Sequence, residues 1–517
     1  MRLHTSIFLT ALCLFMASCE PAPDSPDTSQ IDPQELLDSV VRINATQQDW
    51  NQWQPWEKEP PRQRRALAAI IAPQRVITTA EIAANATYLE FESADGTRFI
   101  PARVIVRDDE VNLALLGPAD EAQGEEFFEG TTPLELAEPS ELGDTLHILQ
   151  LEANGVALST PGILQSVELT DSFLPGHHFL TFLVKASMQS AASSYTLPVI
   201  KNDKLAGVLI SYSSKDQICD VASTDIIRRF LEAAAVEPYQ GFPSLGVRVA
   251  MTEDSSFREW LELGDEQGGL FVSSVQENSP AQKAGILKDD VILEVDGYPI
   301  DRRGYYESAQ YGNLSWVHLV RGEKKVGDTL SIVLLREGEL KEVEATLQRK
   351  DPNDKLVPEY LFDQQPSYVV KGGLIFQQLT REILERYGKE WQSRAPLNLL
   401  DAYDNPHRYE DEMRRVVFLS SVIPTPATIG YERLRNLIVD KVNGVEIRDM
   451  KDLSEAFASV DGPMHAIEFM DEHIVVYLDE RLSSAVDAQL LQRGLSKLEH
   501  IEPEPAHEPG PDSDQSE

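Results

Sequence analysis

Residues 268–300 read GGLFVSSVQENSPAQKAGILKDDVILEVDGYPI. Apolar strand-like runs alternate here with a short helical patch, and the joints are Gly-rich turns. The same alternation extends over 244–349 and returns over about 366–484. Upstream the pattern changes to many short apolar runs split by turn signals. Leu37–Arg42, Ala66–Thr79, Tyr88–Phe91, Ala102–Val106 and Leu113–Leu116 form one set of predicted strands. Thr145–Leu149, Gly162–Leu169, Phe179–Lys185 and Leu205–Tyr212 form a second set. Thr224–Ala235 then has helical spacing, with Ile226, Ile227, Phe230 and Leu231 on one stripe. Short strands in two sets followed by a helix favour two packed β-barrels.

The 517 residues allow about three or four domains. Apolar residues are 42% and charged residues 25%, so most of the chain can build packed cores. The 46 basic and 85 acidic residues leave a net charge of −39. A phosphate backbone or an anionic membrane surface repels such a chain, so neither nucleic acid nor a basic-patch membrane contact is expected. HExxH, CxxC and GxxxxGK[ST] motifs are absent, and no metal or cofactor is expected.

The leader, residues 1–19, reads MRLHTSIFLTALCLFMASC. Arg2 is a basic start, and Ile7–Met16 is an apolar core of about 15 Å as helix, too short for a bilayer of about 30 Å. This is the pattern of an export signal. Its end, Met16-Ala17-Ser18-Cys19, resembles the bacterial lipobox, which implies a lipid-modified Cys19 at the mature N-terminus. Glu20 follows, and the resemblance then points to the outer membrane rather than the inner. The alternative is an ordinary cleaved signal with an incidental cysteine. Residues 20–36 suit a flexible tether, and 499–517, acidic and Pro-rich, suit a disordered tail. Beyond the leader only Cys219 remains, so no intrachain disulfide is expected.

Residues 240–350 resemble a PDZ domain of the HtrA/Deg type, through Leu245-Gly246-Val247, the 268–300 stretch and VGDTLSIVLLREGE at 326–339. Residues 37–237 resemble the family's trypsin-like domain. VITTAEIA at 76–83 stands where the family has the strand ending in its catalytic His, and VNLALL at 111–116 where it has its Asp. ELGDTLHIL at 141–149 and TPGILQSVE at 160–168 match the start of the second barrel. Residues 366–484 resemble the extra PDZ domain of plant-type Deg proteases, through SYVVKGGLIF at 367–376, TIGYERLRNLIVDKVNGVEI at 428–447 and FMDEHIVVYLD at 469–479. The resemblance implies a mainly β chain, a chymotrypsin-like double β-barrel followed by two PDZ domains.

A serine endopeptidase needs a hydroxyl, a base, an orienting acid and an oxyanion hole. By the resemblance, the base position falls on Glu81 and the acid position on Asn112. The nucleophile loop, GNSGGP in the family, reads Ala191-Ala192-Ser193-Ser194-Tyr195-Thr196. Counting from Val184 puts Ser193 at the nucleophile position; counting back from Leu205 allows Ser194. Independently, no histidine lies between His4 and His147, so the first barrel offers no imidazole. A glutamate carboxylate is a weaker base than imidazole. The loop glycines are gone, and an oxyanion hole built on glycine-only angles would collapse with them. The reading is a pseudoprotease. A working endopeptidase would have to use Ser193 or Ser194 with Glu81 or a displaced histidine. Of the candidates, His147 lies in a predicted strand, and His177 and His178 fall in a loop where solvation is expected. Trp50, Trp53 and Trp56 sit in a long polar loop, as an oligomer contact or as a surface cluster.

The resemblance makes Ser244, Leu245, Gly246 and Val247 the loop that holds a peptide carboxylate on its backbone N–H groups, with the peptide added as an edge strand. Lys371-Gly372-Gly373-Leu374 is the equivalent in the second domain, where packing or assembly is expected instead of a peptide. The implied partners are unfolded chains or C-terminal peptides of envelope proteins, the membrane through a lipid anchor, and further copies of the chain as a trimer or its multiple. The implied location is the bacterial envelope, facing the periplasm. Three functions follow: a peptide-binding pseudoprotease in quality control, an active serine endopeptidase, or an oligomeric scaffold.

Overall fold

The structure is a computed structural model. It describes residues 32–152, 154–171, 173–188, 196–264, 268–350, 355–459, 462–470 and 474–502. Cys19, Ser193, Ser194 and most of the predicted tail lie outside the described residues.

The first barrel closes from β1 (Val40–Gln47), β2 (Arg62–Ala72), β3 (Arg75–Thr78), β4 (Ala86–Ser93), β5 (Phe99–Asp108) and β6 (Leu113–Pro118), in the order β1-β2-β3-β6-β5-β4. The predicted single run Ala66–Thr79 is a hairpin, broken at Pro73-Gln74, where Gln74 takes φ 57°. The run reads as continuous apolar sequence because both faces of β2 are buried. Ala66, Ala68 and Ile70 fill the first barrel, while Leu67 and Ala69 face the second. The predicted strand Leu37–Arg42 starts later, since Leu37–Ser39 is a 3-10 turn. Short helices α1 (Ala80–Ala83) and α2 (Glu121–Phe127) follow β3 and β6.

The second barrel closes from β7 (Thr145–Leu151), β8 (Ala157–Thr170), β9 (Phe179–Lys185), β10 (Leu197–Lys201), β11 (Lys204–Ser213) and β12 (Ile218–Ser223), in the order β10-β11-β12-β9-β8-β7. Helix α3 (Thr224–Ala234) follows, capped by Ser223 Oγ accepting from Ile226 N–H. It buries Ile226, Ile227 and Phe230 as the stripe predicts.

The third unit has the sheet β13 (Val247–Met251), β14 (Leu270–Val275), β15 (Val291–Val295), β19 (Thr329–Arg336) and β20 (Glu339–Thr346), in that spatial order. A two-residue β16 (Tyr298–Pro299) pairs with β15, and β17 (Tyr305–Ser308) and β18 (Gly312–Ser315) form a separate hairpin. Its helices are α4 (Ser255–Trp260), α5 (Pro280–Lys283) and α6 (Val317–Arg321). Its core runs without a break into that of the second barrel. Tyr311, in the hairpin turn, packs on Phe182 of β9, and its hydroxyl donates to Asp225 Oδ2 at 2.5 Å.

The fourth unit has β21 (Tyr368–Lys371), β22 (Leu374–Gln378), β23 (Val417–Val422), β24 (Leu437–Val442), β25 (Val445–Glu446), β26 (Met464–Phe469), β27 (Val475–Asp479) and β28 (Glu499–His500). The order is β27-β26-β24-β23-β22-β21-β28, with β25 beside β24. Helices α7 (Arg381–Glu385), α8 (Trp391–Arg394), α9 (Leu397–Asp404), α10 (Met450–Ala458) and α11 (Glu480–Gln492) complete it. The expected tail at 499–517 is corrected at its start. Glu499 and His500 pair with Val369 and Tyr368, because β21 would otherwise leave an edge of unpaired main-chain groups.

Candidate functional site: a barrel cleft and a PDZ edge

Between the barrels lies a cavity of about 380 Å³, lined by Arg64, Glu81, Asp171, Thr196, Ile210, Ser211 and Asp220. Glu81 and Asn112 meet here, but in structural roles. Glu81 is in the first turn of α1, and its backbone N–H donates to Asn112 Oδ1 at 3.0 Å. Asn112, fully buried with φ 53°, thus satisfies a first-turn N–H that the helix cannot bond internally. At the other end of α1, Gln47 Nε2 donates to the carbonyls of Glu81 at 2.6 Å and Ala84 at 3.0 Å. The Glu81 carboxylate accepts from Arg64 Nη1 at 2.6 Å, so one oxygen already holds a permanent cation. Thr79, the residue before α1, and Thr196 share a hydroxyl hydrogen bond of 2.9 Å across the cleft. Ser193 and Ser194 belong to the 189–195 segment and lie outside the described residues.

Among the described residues that line the cleft there is no histidine. His147 of β7 pairs with Ile200 in register, four residues along β10 from Thr196, or about 13 Å at strand spacing. Its Nδ1 is 3.1 Å from Ser159 Oγ, and burial pushes its pKa down. His177, expected to be solvated, is instead mostly buried. Its Nδ1 is 3.3 Å from Glu110 Oε2 and its Nε2 3.5 Å from Glu359 Oε2. Loop composition signalled exposure. The segment joining the two PDZ units covers the ring, and that contact is 182 residues distant in sequence (359 minus 177).

In the first PDZ unit the four predicted residues form one loop. Ser244 N–H donates to Gln348 O at 2.8 Å. The Leu245 carbonyl accepts from Ala281 N–H at 3.0 Å, and the Gly246 carbonyl from Gln276 N–H at 2.9 Å. With both carbonyls turned inward, the N–H groups of Leu245 and Gly246 have no acceptor among the described residues. Gly246 has φ 80°, and a Cβ there would lie 2.3 Å from Ser279 Cβ. Val247 opens β13, which is the sheet's edge and pairs only with β14 among the described strands. Past Met251 the edge is closed, since Thr252 N–H donates to Arg302 O at 2.9 Å.

The second PDZ unit differs. Gly372 and Gly373, at φ 62° and 106°, make a two-residue turn that folds β21 onto β22, pairing Lys371 with Leu374 and Tyr368 with Gln377. β22 then has β21 on one side and β23 on the other, so it has no free edge. The Gly372 N–H is also taken, by Asp487 Oδ1 of α11 at 2.6 Å.

The tryptophan loop, expected as an oligomer contact or a surface cluster, packs within the chain on the second PDZ unit, with Trp53 still 43% exposed. Trp56 packs edge-on against Tyr368 and Trp53 against Tyr387, both in the second PDZ unit of the same chain. Gln377 Nε2 donates to Gln52 O at 2.9 Å, and Gln365 Nε2 to Pro55 O at 2.9 Å. Trp50 is covered by Lys58 of its own loop, 4.9 Å above the ring. The loop reads as exposed because its partners lie more than 300 residues away in sequence.

Comparison with known proteins agrees with this architecture. The PDZ domain family matches residues 243–347 and again 357–495. A putative mitochondrial protease, Do-like 3 of Arabidopsis thaliana, is 26% identical over 478 residues, covering 92% of this chain and 81% of that protein. The chloroplastic protease Do-like 2 of the same plant is 27% identical over 465 residues, covering 89% and 74%. Among solved structures, the HtrA-type protease AlgW with decapeptide is 19% identical, with a TM-score of 0.46 over 61% of this chain and 97% of that one. The chain thus carries two PDZ domains after its double barrel, and over most of its length it is similar to Do-like proteases, the HtrA/Deg family.

Proposed function

We propose that the protein is a non-cleaving member of this family that captures free C-terminal peptides of partly unfolded envelope proteins at its first PDZ domain. The observation that carries the reading is the Glu81–Arg64 ion pair at the base position, in a barrel whose described residues include no histidine. A nucleophilic serine without a base gains nothing from its neighbours, and loss of the base alone costs on the order of 10⁶ in kcat. The supporting feature for binding is the open β13 edge beside two unsatisfied N–H groups, the arrangement that strand addition and carboxylate capture require. The net charge of −39 disfavours acidic peptides, and the bias fades as salt is raised.

Casein incubated with the mature chain stays intact. Cleavage that disappears in the Ser193→Ala/Ser194→Ala double variant would instead establish the endopeptidase reading. For binding, the mature chain is titrated with free-acid and C-terminally amidated versions of one apolar-ended peptide. Equal affinity removes the carboxylate from the mechanism, and no binding to either leaves the scaffold. The proposal places the protein on the membrane through lipidated Cys19, with several acyl chains giving a stable anchor. Cys19→Ser then moves it to the soluble fraction; a wild type already soluble and without lipid mass contradicts the anchor.

A further inference from the structure

Four parts of the chain meet around His177. Glu110, in the β5–β6 turn of the first barrel, faces Nδ1, and Glu359, in the segment between the PDZ domains, faces Nε2. Glu110 also accepts from Arg321 Nη2 of α6 at 2.8 Å, and Glu359 accepts from Lys355 within its own segment. Beside them, Asp109 pairs with Arg107 at 2.8 Å, Arg107 reaches Asp363, and Asp108 accepts from Tyr239. Phe173, from the same loop as His177, stacks on Phe362 at 4.8 Å.

A neutral imidazole carries one N–H and one lone pair, whereas a carboxylate only accepts. Both ring nitrogens of His177 face carboxylate oxygens, so only the imidazolium satisfies both contacts. Arg321 and Lys355 keep the two carboxylates ionised from behind. We propose that His177 is a proton-operated latch that fastens the 355–363 segment to the barrels, closed as imidazolium and released as imidazole.

The electrostatics agree with that geometry. Burial pushes His177 down, but the Glu110 and Glu359 carboxylates beside the ring outweigh this and hold its pKa above the ordinary value of 6.5. Burial raises Glu359, yet His177 and Lys355 bring it down to about 2. Glu110 is likewise held below its usual range by His177 and Arg321 against burial. A histidine whose folded pKa is raised contributes fully below its unfolded pKa, and the contribution is lost as pH rises through the folded value. The latch therefore opens on the alkaline side. Asp109, which burial lifts to about 6, loses its proton at lower pH than this release.

The test follows amide exchange of residues 355–366 in the mature chain, corrected for intrinsic rates. Asp363 N–H, bonded to Asn85 Oδ1 at 2.7 Å, reports directly on segment-to-barrel contact. Protection falls about tenfold between about pH 6.5 and pH 9, and His177→Gln is weakly protected with no pH dependence. A flat wild-type profile, or a variant that keeps the wild-type pH dependence, overturns the latch. Titration of the His177 imidazole by NMR in the wild type needs no variant, and a pKa at or below 6.5 overturns it equally.

Discussion

Glu81 and Arg64 are each about one-third exposed, so solvent screens their ion pair. Glu81→Gln is expected to cost less than about 1 kcal/mol in chemical denaturation. Glu81→His is expected to leave casein uncut, because Asn112 presents an amide whose oxygen is already engaged by the residue 81 backbone. Gly246 is the opposite case. Its positive φ and the 2.3 Å approach to Ser279 make any side chain doubly unfavourable. Gly246→Ala should destabilise the chain by about 1–3 kcal/mol and abolish discrimination between free-acid and amidated peptides. Calorimetric titration with the two peptide forms checks it; unchanged discrimination would show that the loop does not hold the carboxylate.

At the scale of elements, the two PDZ domains show how one extra pairing changes what a strand can do. β13 keeps a bare edge over Val247–Met251, and β22, also following a Gly turn, is enclosed because β21 folds back on it. The 48–61 loop then braces β21 through Trp56 and Tyr368. Trp56→Ala removes an aromatic contact and its buried area, worth about 1–3 kcal/mol. The expected result is faster protease cleavage within the second PDZ domain, with the barrels unaffected. A variant cut at the wild-type rate would mean that the loop does not brace the domain.

Across the whole molecule, the first PDZ domain is not an independent bead. Its core residues Leu314, Trp316 and Leu319 belong to one cluster with Phe182, Ile226 and Phe230 of the second barrel. Arg229 donates to the Lys324 carbonyl, and Lys325 pairs with Glu232 at 2.9 Å, along the same contact. These two parts should therefore unfold in one calorimetric transition. The second PDZ domain has its own cores and should give another. A fragment of 240–350 alone should be less stable than the same residues in the chain. A fragment melting at the same temperature would show that the shared core contributes nothing.

The barrels and the α3 stripe were legible because each rests on local periodicity, and the two PDZ domains because their motifs resemble a known family. Ile226, Ile227 and Phe230 face inward for the reason their spacing predicts. Glu81, Asn112 and Ser244–Val247 could be named from position in a motif, and the missing first-barrel histidine from counting alone. What sequence could not give were contacts whose partners lie far away in the chain. His177 reads as a loop histidine until Glu359 covers it, and Trp56 reads as exposed until Tyr368 meets it. The second PDZ edge is closed by β21, and whether a Gly-Gly turn frees a strand edge or folds a hairpin is a matter of pairing. Periodicity records which face of an element is buried. Which distant element buries it, and in what charge state, is settled only when the chain closes on itself.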